Sequence, residues 1–409
     1  MFSEEGNMPE SVQCQRQIDE LLSLPRQIWL LGAGVSKDAG IPLMYPLTDR
    51  VGAKLEHDDK LFFQTIREEL PEGAHVEHVL SHVGDLIAIA DRIKNKTVEI
   101  GRVHRPLDYL TGLHGKIQRC IRETICWGYI PACGEDSERI GTKDAPIVDI
   151  HAHKAFVEAL FHSRRAGLER RPPVAFFTTN YDTLLEDALA LIRVACNDGF
   201  CGGAMAFWDP GKDFDQPFDV DGRIQARVYK LHGSIDWIAD SEDLVVRRRE
   251  GAGYPDELDT RLLIYPQATK YKVTQRDPFA TLFGAFRSAL NGSEPSLLAV
   301  CGYSFGDEHI NEEIERAMKQ RENRLTILAF ACQDNLRILE PNRGLPTKLA
   351  QWLSLESEPW RKRIVVAGSH GIYHGSLENK CPCTETTSHS WWTFQGVTDL
   401  LRHGPEVEL

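Results

Sequence analysis

A length of 409 residues admits one large α/β domain carrying an insertion, or two smaller cores. The net charge of −13 argues against nonspecific nucleic-acid binding, which needs a basic face, and the short run Arg247-Arg248-Arg249 reads as a solvated loop. The acidic, polar start MFSEEGNMPE lacks the character of a secretion signal and no apolar run approaches the ~18 residues that span a bilayer; with ten scattered cysteines and no C-x-x-C pair, free thiols in a reducing cytosol are expected.

In chain order, residues 1–26 predict a polar lead and a short helix carrying Ile18, Leu21 and Leu22, closed by Pro25. Ile28, Trp29, Leu30 and Leu31 follow as a buried strand that runs into Gly32-Ala33-Gly34. A short helical run from Val35 to Ala39 is then broken by Gly40, Ile41 and Pro42. A strand that stops at glycines and opens a helix leaves backbone N–H groups at the mouth of a parallel sheet, which suits the pyrophosphate of a dinucleotide. Gly32 and Gly34 permit a tight turn and close approach to a ligand. The third glycine of the common dehydrogenase fingerprint is replaced by Lys37, and GAGVS alone is equally compatible with a plain glycine turn.

From about Leu47 to Leu168 strand-like runs give way to helical periodicity, clearest at Val76, Val79, Leu80, Val83, Leu86, Ile87, Ala90 and Ile93. Residues 47–168 are therefore expected to form a helical insertion over the cofactor crevice, interrupted by a loop around Pro131 to Pro146. The α/β pattern then resumes. Strands are expected at Val174–Thr178, Arg227–Leu231, Leu262–Tyr265, Leu297–Cys301, Leu325–Phe330 and Arg363–Ala367, and helices at Tyr181–Ala195, Phe279–Leu290, His309–Arg321 and Pro346–Leu355. Strands alternating with helices predict an α/β fold with a mostly parallel sheet covered on both faces. Glu378 to Ser390 reads as an irregular surface loop.

Four segments in this order resemble the sirtuin fold family. GAGVSKDAGIP (32–42) is similar to its glycine loop, TTNYD (178–182) to its T-Q-N-x-D strand end, and KLHGS (230–234) to its histidine turn. CGYSFGDEHIN (301–311) resembles the late G-x-S segment in the form carried by bacterial sirtuin-like NADases of anti-phage defence. The resemblance implies a Rossmann-like sheet, with 1–46 and 169–409 as the NAD-binding domain.

Asn-x-Asp ahead of an apolar helix is a serviceable helix cap as well as a candidate site. The resemblance implies that Asn180 contacts the nicotinamide ribose and the attacking water, and that Asp182 holds the nicotinamide amide. A histidine in a turn is more often structural, but His232 matches the family's catalytic histidine, and an imidazole is a competent general base near neutral pH. The resemblance assigns the diphosphate to Gly32, Ala33, Gly34 and Ser36, and the adenosine half of NAD to Gly302, Ser304 and Asp307. Asp307 also suits a helix cap, with Glu312 and Glu313 favoured in the first helical turn. His151-Ala152-His153 has no further donor at metal spacing and Cys381-Pro382-Cys383 reads as loop, so no metal is expected.

The zinc-holding C-x-x-C pairs of most sirtuin deacylases are missing. The expected activity is therefore hydrolysis of NAD, the substrate, to nicotinamide and ADP-ribose, depleting NAD in anti-phage defence. The alternatives are an NAD-dependent protein deacylase, a non-catalytic NAD or ADP-ribose sensor and, on the missing third glycine, least of all a dehydrogenase. The motifs end near Asn311, and the ~100 residues that follow suffice only for the last two strands and their helices, by the usual length of a βαβ unit. Gating by assembly is expected, as a homo-oligomer with a separately encoded partner and the insertion 47–168 as the gate; the resemblance to stand-alone sirtuin-like subunits implies a HerA-type ring ATPase as that partner.

Overall fold

A computed structural model describes residues 10–100, 103–165, 172–211, 214, 223–239, 245–248, 261–264, 277–381 and 389–404. Leu168, Arg249, Tyr265 and the stretch Pro382–Ser388, with Cys383, lie outside the described residues.

Eight strands form the central sheet: β1 (Gln27–Leu31), β2 (Val174–Thr178), β3 (Cys196–Asn197), β4 (Ala226–Lys230), β5 (Ser296–Cys301), β6 (Leu325–Ala331), β7 (Ile364–Gly368) and β8 (Gly371–His374). Their order is β8-β7-β6-β5-β1-β2-β4-β3, parallel throughout except for the antiparallel pair β7–β8 at one edge. The expected α/β, Rossmann-like, mostly parallel sheet is what the chain forms. Strands β1, β2, β5 and β6 are apolar along nearly their whole length, because helices bury both faces, while β4 is equally buried but carries Arg227 and Lys230.

Eleven α-helices are seen among the described residues: α1 (Glu10–Leu22), α2 (Met44–Lys54), α3 (His57–Glu69), α4 (Val76–Arg92), α5 (Leu107–Trp127), α6 (His151–Glu158), α7 (Leu184–Leu191), α8 (Phe279–Leu290), α9 (Glu308–Lys319), α10 (Thr347–Ser354) and α11 (Phe394–His403). Alternate residues of each strand feed separate cores. Leu30, Phe177, Leu298 and Ile327 pack against α8, α9 and α10, while Trp29, Phe176, Leu297 and Leu328 pack against α1, α6, α7 and α11. None of the helices among the described residues is long and apolar enough to cross a membrane.

A third core belongs to α2–α5 and meets the sheet through Tyr181, Leu184 and Ile235. Residues 151–164, which the periodicity placed in the insertion, instead pack on the sheet face: Phe156 lies edge-on to Trp29, 5.1 Å between ring centroids. Two short hairpins, Thr97–Ile100 with Val103–Pro106 and Tyr129–Ile130 with Arg139–Ile140, interrupt the helices.

The strand expected at Leu262–Tyr265 does not join the parallel sheet. Arg261–Ile264 pairs antiparallel with Gly233–Ala239, in a second, five-stranded sheet with Val245–Arg248, Met205–Trp208 and Phe200–Gly202. The chain therefore leaves β4 and enters the second sheet across Leu231 and His232, with Gly233 at φ +84° making the corner.

Candidate functional site

Leu31 pairs with Cys301 on one side and Thr178 on the other, and Thr178 pairs with Lys230. The carboxyl ends of β5, β1, β2 and β4 are therefore level, at the point where the strand order reverses, β1 leading to β2 on one side and β5 to β6 on the other. Open α/β sheets bind ligands in this crevice. All four motif segments begin there.

The glycine loop forms a single 3-10 turn, Ala33–Ser36, rather than the helical run expected from Val35 to Ala39. Its glycines serve the neighbouring loop directly. Gly32 N–H donates to Cys301 O at 3.0 Å and Gly34 N–H to Gly302 O at 2.9 Å. A Cβ on Gly32 would lie 2.5 Å from Gly302 O, and one on Gly34 would lie 2.7 Å from Gly302 Cα. Gly302, at φ +65°, has room for no Cβ either, since one would stand 2.5 Å from Val35 N. The two loops are thus joined backbone to backbone, an arrangement only three glycines allow.

Ser36 is buried at the centre of the first polar group. Its Oγ donates to Asp182 Oδ2 at 2.8 Å and accepts from Asn180 Nδ2 at 3.0 Å. Asn180 Oδ1 is buried and has no hydrogen-bond partner among the described residues. The segment between them is held tightly: Asn180 N–H donates to Thr178 Oγ1 at 3.0 Å, and Leu184 N–H to Asp182 Oδ1 at 3.1 Å. That last bond explains why α7 starts at Leu184 and not at Tyr181. Beneath the loop, buried Lys230 donates to Asp182 O and pairs with Glu186 at 3.4 Å.

The second group is charged. His232 Nε2 and Asp307 Oδ2 are 3.0 Å apart, both nearly sealed from solvent. Asp307 Oδ1 caps α9, accepting from His309 N–H at 2.9 Å and Ile310 N–H at 3.3 Å. The cap reading of Asp307 therefore holds, and its other carboxylate oxygen faces His232. The loop reaching it is strained, with non-glycine Phe305 at φ +59°. Ser304 is exposed on this loop, outside the buried pair.

Tyr181 joins the groups. Its carbonyl accepts from Ser234 Oγ at 3.1 Å and Ile235 N–H at 3.0 Å, just past His232, while its hydroxyl donates to Glu77 of α4. Burial raises the Tyr181 phenol well above its usual range, with Glu77 acting in the same direction, so the proton stays on the hydroxyl. Burial likewise raises the Glu77 carboxyl, against the opposing pull of His232.

Lys230, Tyr181 and Glu77 escaped the sequence reading. Lys230 was legible as a cation ending an apolar strand, but Glu77 was not, because position 77 flanks the apolar stripe of α4 rather than interrupting it. The two histidines considered for a metal diverge: His151 is exposed and bonds Asp149 at 2.5 Å, whereas His153 is buried beside Phe394, 5.0 Å between rings. Burial lowers His153 below the usual imidazole range, offset in part by Asp182.

A cavity of about 410 Å³ opens beside Asp182, between the sheet and the insertion. Ile41, Trp127, Val148 and Ile235 make it mainly apolar, with Lys143 and Asp182 as its charged groups. Its size suits a small-molecule site.

Residues 174–349 match the family model described as a SIR2-like domain. The matched region holds Asn180, Asp182, His232, Gly302, Ser304 and Asp307; the glycine loop precedes it. No curated protein matches the chain significantly.

Proposed function

We propose that this chain hydrolyses NAD at the nicotinamide N-glycosidic bond, releasing nicotinamide and ADP-ribose. The observation that carries the reading is the convergence of Ser36, Asn180 and Asp182 with the His232–Asp307 pair at four level strand ends. NAD-related chemistry fits the SIR2-like match over 174–349. Two local features suit the substrate. Asn180 Oδ1 is a buried acceptor awaiting a donor, such as a ribose hydroxyl or water. The apolar cavity at Asp182 suits a flat ring bearing an amide.

In the proposed reaction, the bond between the ring nitrogen and ribose C1′ breaks and nicotinamide leaves as a neutral ring, so no strong general acid is needed. Positive charge develops on the ribose, as in glycoside hydrolysis. Water adds at C1′ and gives its proton to His232, whose imidazolium Asp307 stabilises. Asn180 orients water and ribose, and Asp182 positions nicotinamide. The diphosphate lies along Gly32–Ser36 and the adenosine half near Gly302 and Ser304. Because Gly32 and Gly34 amides are bonded to the β5 end, phosphate contact there competes with those bonds.

Hydrolysis is favoured over protein deacylation because the sequence lacks paired C-x-x-C spacing. Purified protein incubated with NAD should release nicotinamide without an acyl-peptide. Release only on adding acyl-peptide would make the chain a deacylase, and binding without release would make it a sensor. NAD depletion in anti-phage defence, control by homo-oligomerisation and a HerA-type ATPase partner belong to the same proposal and rest on the sequence resemblance. Equal specific activity across a dilution series, with and without such an ATPase, would refute control by assembly.

A further inference from the structure

The helical insertion sends a buried carboxyl side chain into the strand-end site. Glu77 lies in the first turn of α4 and is 2% exposed. A buried carboxylate without compensation costs several kcal/mol, on the order of the desolvation of one ion, so its surroundings show what it serves. Its hydrogen-bond donor is the Tyr181 hydroxyl. Tyr181 stands between Asn180 and Asp182 in the chain, and its carbonyl ties down Ser234 and Ile235 immediately after His232. A carboxylate that served only to anchor α4 to the sheet could have used any polar group along the third core. This one grips the residue that links both halves of the site.

We propose that Glu77 is a positioning residue for His232, fixing the corner after β4 through Tyr181. The role rests on the reading of His232 as the group that takes up a proton.

The electrostatics agree. Burial raises the Glu77 carboxyl; His232 is the largest influence opposing burial, ahead of the Tyr181 hydrogen bond, and Asp307 acts in the raising direction with His78 opposing it weakly. The groups acting on Glu77 thus come from four places: Tyr181 after β2, His232 after β4, Asp307 at the head of α9 and His78 on α4 itself. The attraction between Glu77 and His232 is mutual, so the imidazolium that the proposed reaction creates is favoured less with a neutral partner at 77 than with a carboxylate. The insertion is then part of the reacting site, whatever else it does as a cover.

The deciding experiment follows the His232 ring by NMR through a pH titration in the full chain, its signal identified by its loss in His232→Asn. In Glu77→Gln, which keeps shape and an acceptor for Tyr181, the titration should move to lower pH. The acid limb of the NAD-cleavage profile should move the same way and the plateau should fall roughly 10-fold, less than the ~10²–10⁴-fold worth of the acid–base group itself, as suits a residue acting through another. Tyr181→Phe, which removes the hydrogen-bond donor to Glu77, should shift the titration in the same direction by less, and it stands in if Glu77→Gln fails to fold. An unmoved titration in a folded variant would overturn the proposal, as would a uniformly lowered rate with an unchanged pH profile. The NMR readout needs no substrate, so if wild-type protein leaves NAD intact, the hydrolase reading fails while the Glu77 inference is still decided.

Discussion

Ser36, Asn180 and Asp182 on one side, and His232, Asp307 and Glu77 on the other, stand at neighbouring strand ends but are assembled in opposite ways. The first group is a chain of neutral donors ending in one carboxylate, and it leaves Asn180 Oδ1 open. The second is a set of buried ionisable groups facing one another, with both Asp307 oxygens engaged. An open acceptor in a rigid network suits holding a hydroxyl or water. Buried opposing charges suit gaining and losing a proton, because low local dielectric makes each change of charge strongly felt. On the proposed reading, holding falls to the residues after β2 and proton transfer to those after β4, with Tyr181 as the link.

The largest expected effect comes from removing the working group of each half. His232→Ala and Asn180→Ala should each lower NAD cleavage by about 10²–10⁴-fold, the usual worth of a positioned acid–base or orienting group. NAD affinity, measured by calorimetry, should change far less. Wild-type turnover in either variant would remove that half from the chemistry. Next is the junction that brings β5 to β1. Gly302→Ala forces a side chain into a left-handed residue and against Val35, and should destabilise the fold by about 1–3 kcal/mol in chemical denaturation. A neutral result would mean that the loops part readily, which would free the Gly32 and Gly34 amides for phosphate.

Ser36→Ala tests the first group alone. It removes the hydroxyl between Asn180 and Asp182, a loss of about 1–3 kcal/mol where one partner is charged, which corresponds to roughly 10-fold or somewhat more in kcat/KM with little change in the pH profile. A shifted pH profile would show that the two halves are not divided as described. The smallest effect belongs to the second group. Because the folded carboxyl of Glu77 lies above its unfolded value, the folded state resists its ionisation. The penalty is absent below the ordinary carboxylate range, grows as pH rises through it and is full above the raised value. Glu77→Gln should therefore be as stable as wild type or slightly more so at neutral pH, with the difference closing as pH falls. Thermal melts across pH test this, and a neutral-pH loss of stability would assign Glu77 a purely structural value.

Much of this was written in local pattern. Phe279–Leu290 forms the expected helix with its expected ends, and Val174–Thr178 the expected strand, because unbroken apolar runs and 3.6-residue periodicity depend on neighbours in sequence. Gly32, Asn180 and His232 could be picked out because each lies within two residues of such a strand's end, and Asp307 because it stands just ahead of a helix. Partners in space could not. Arg261–Ile264 has a strand's composition but joins the second sheet, since β-propensity reports a fit to a pleated surface and not which strand lies alongside. His151–Arg164 carries the same helical pattern as the insertion, yet its apolar face is covered by Trp29, Phe176 and Phe394. Gly34 looks identical in sequence whether a phosphate or Gly302 fills the space beside it.

The chain order of amino acids by itself determined the parallel sheet, the helices on its faces and the placing of four polar segments at strand ends, because periodicity and glycine breaks act over a few residues. Only the tertiary structure decided that Asp307 meets His232, that Ser36 bridges Asn180 to Asp182, and that Glu77 reaches Tyr181 from a helix 104 residues away in sequence. Those contacts depend on strand order and level register across the sheet and on where the third core settles, and both are set by packing between segments that share no local signal.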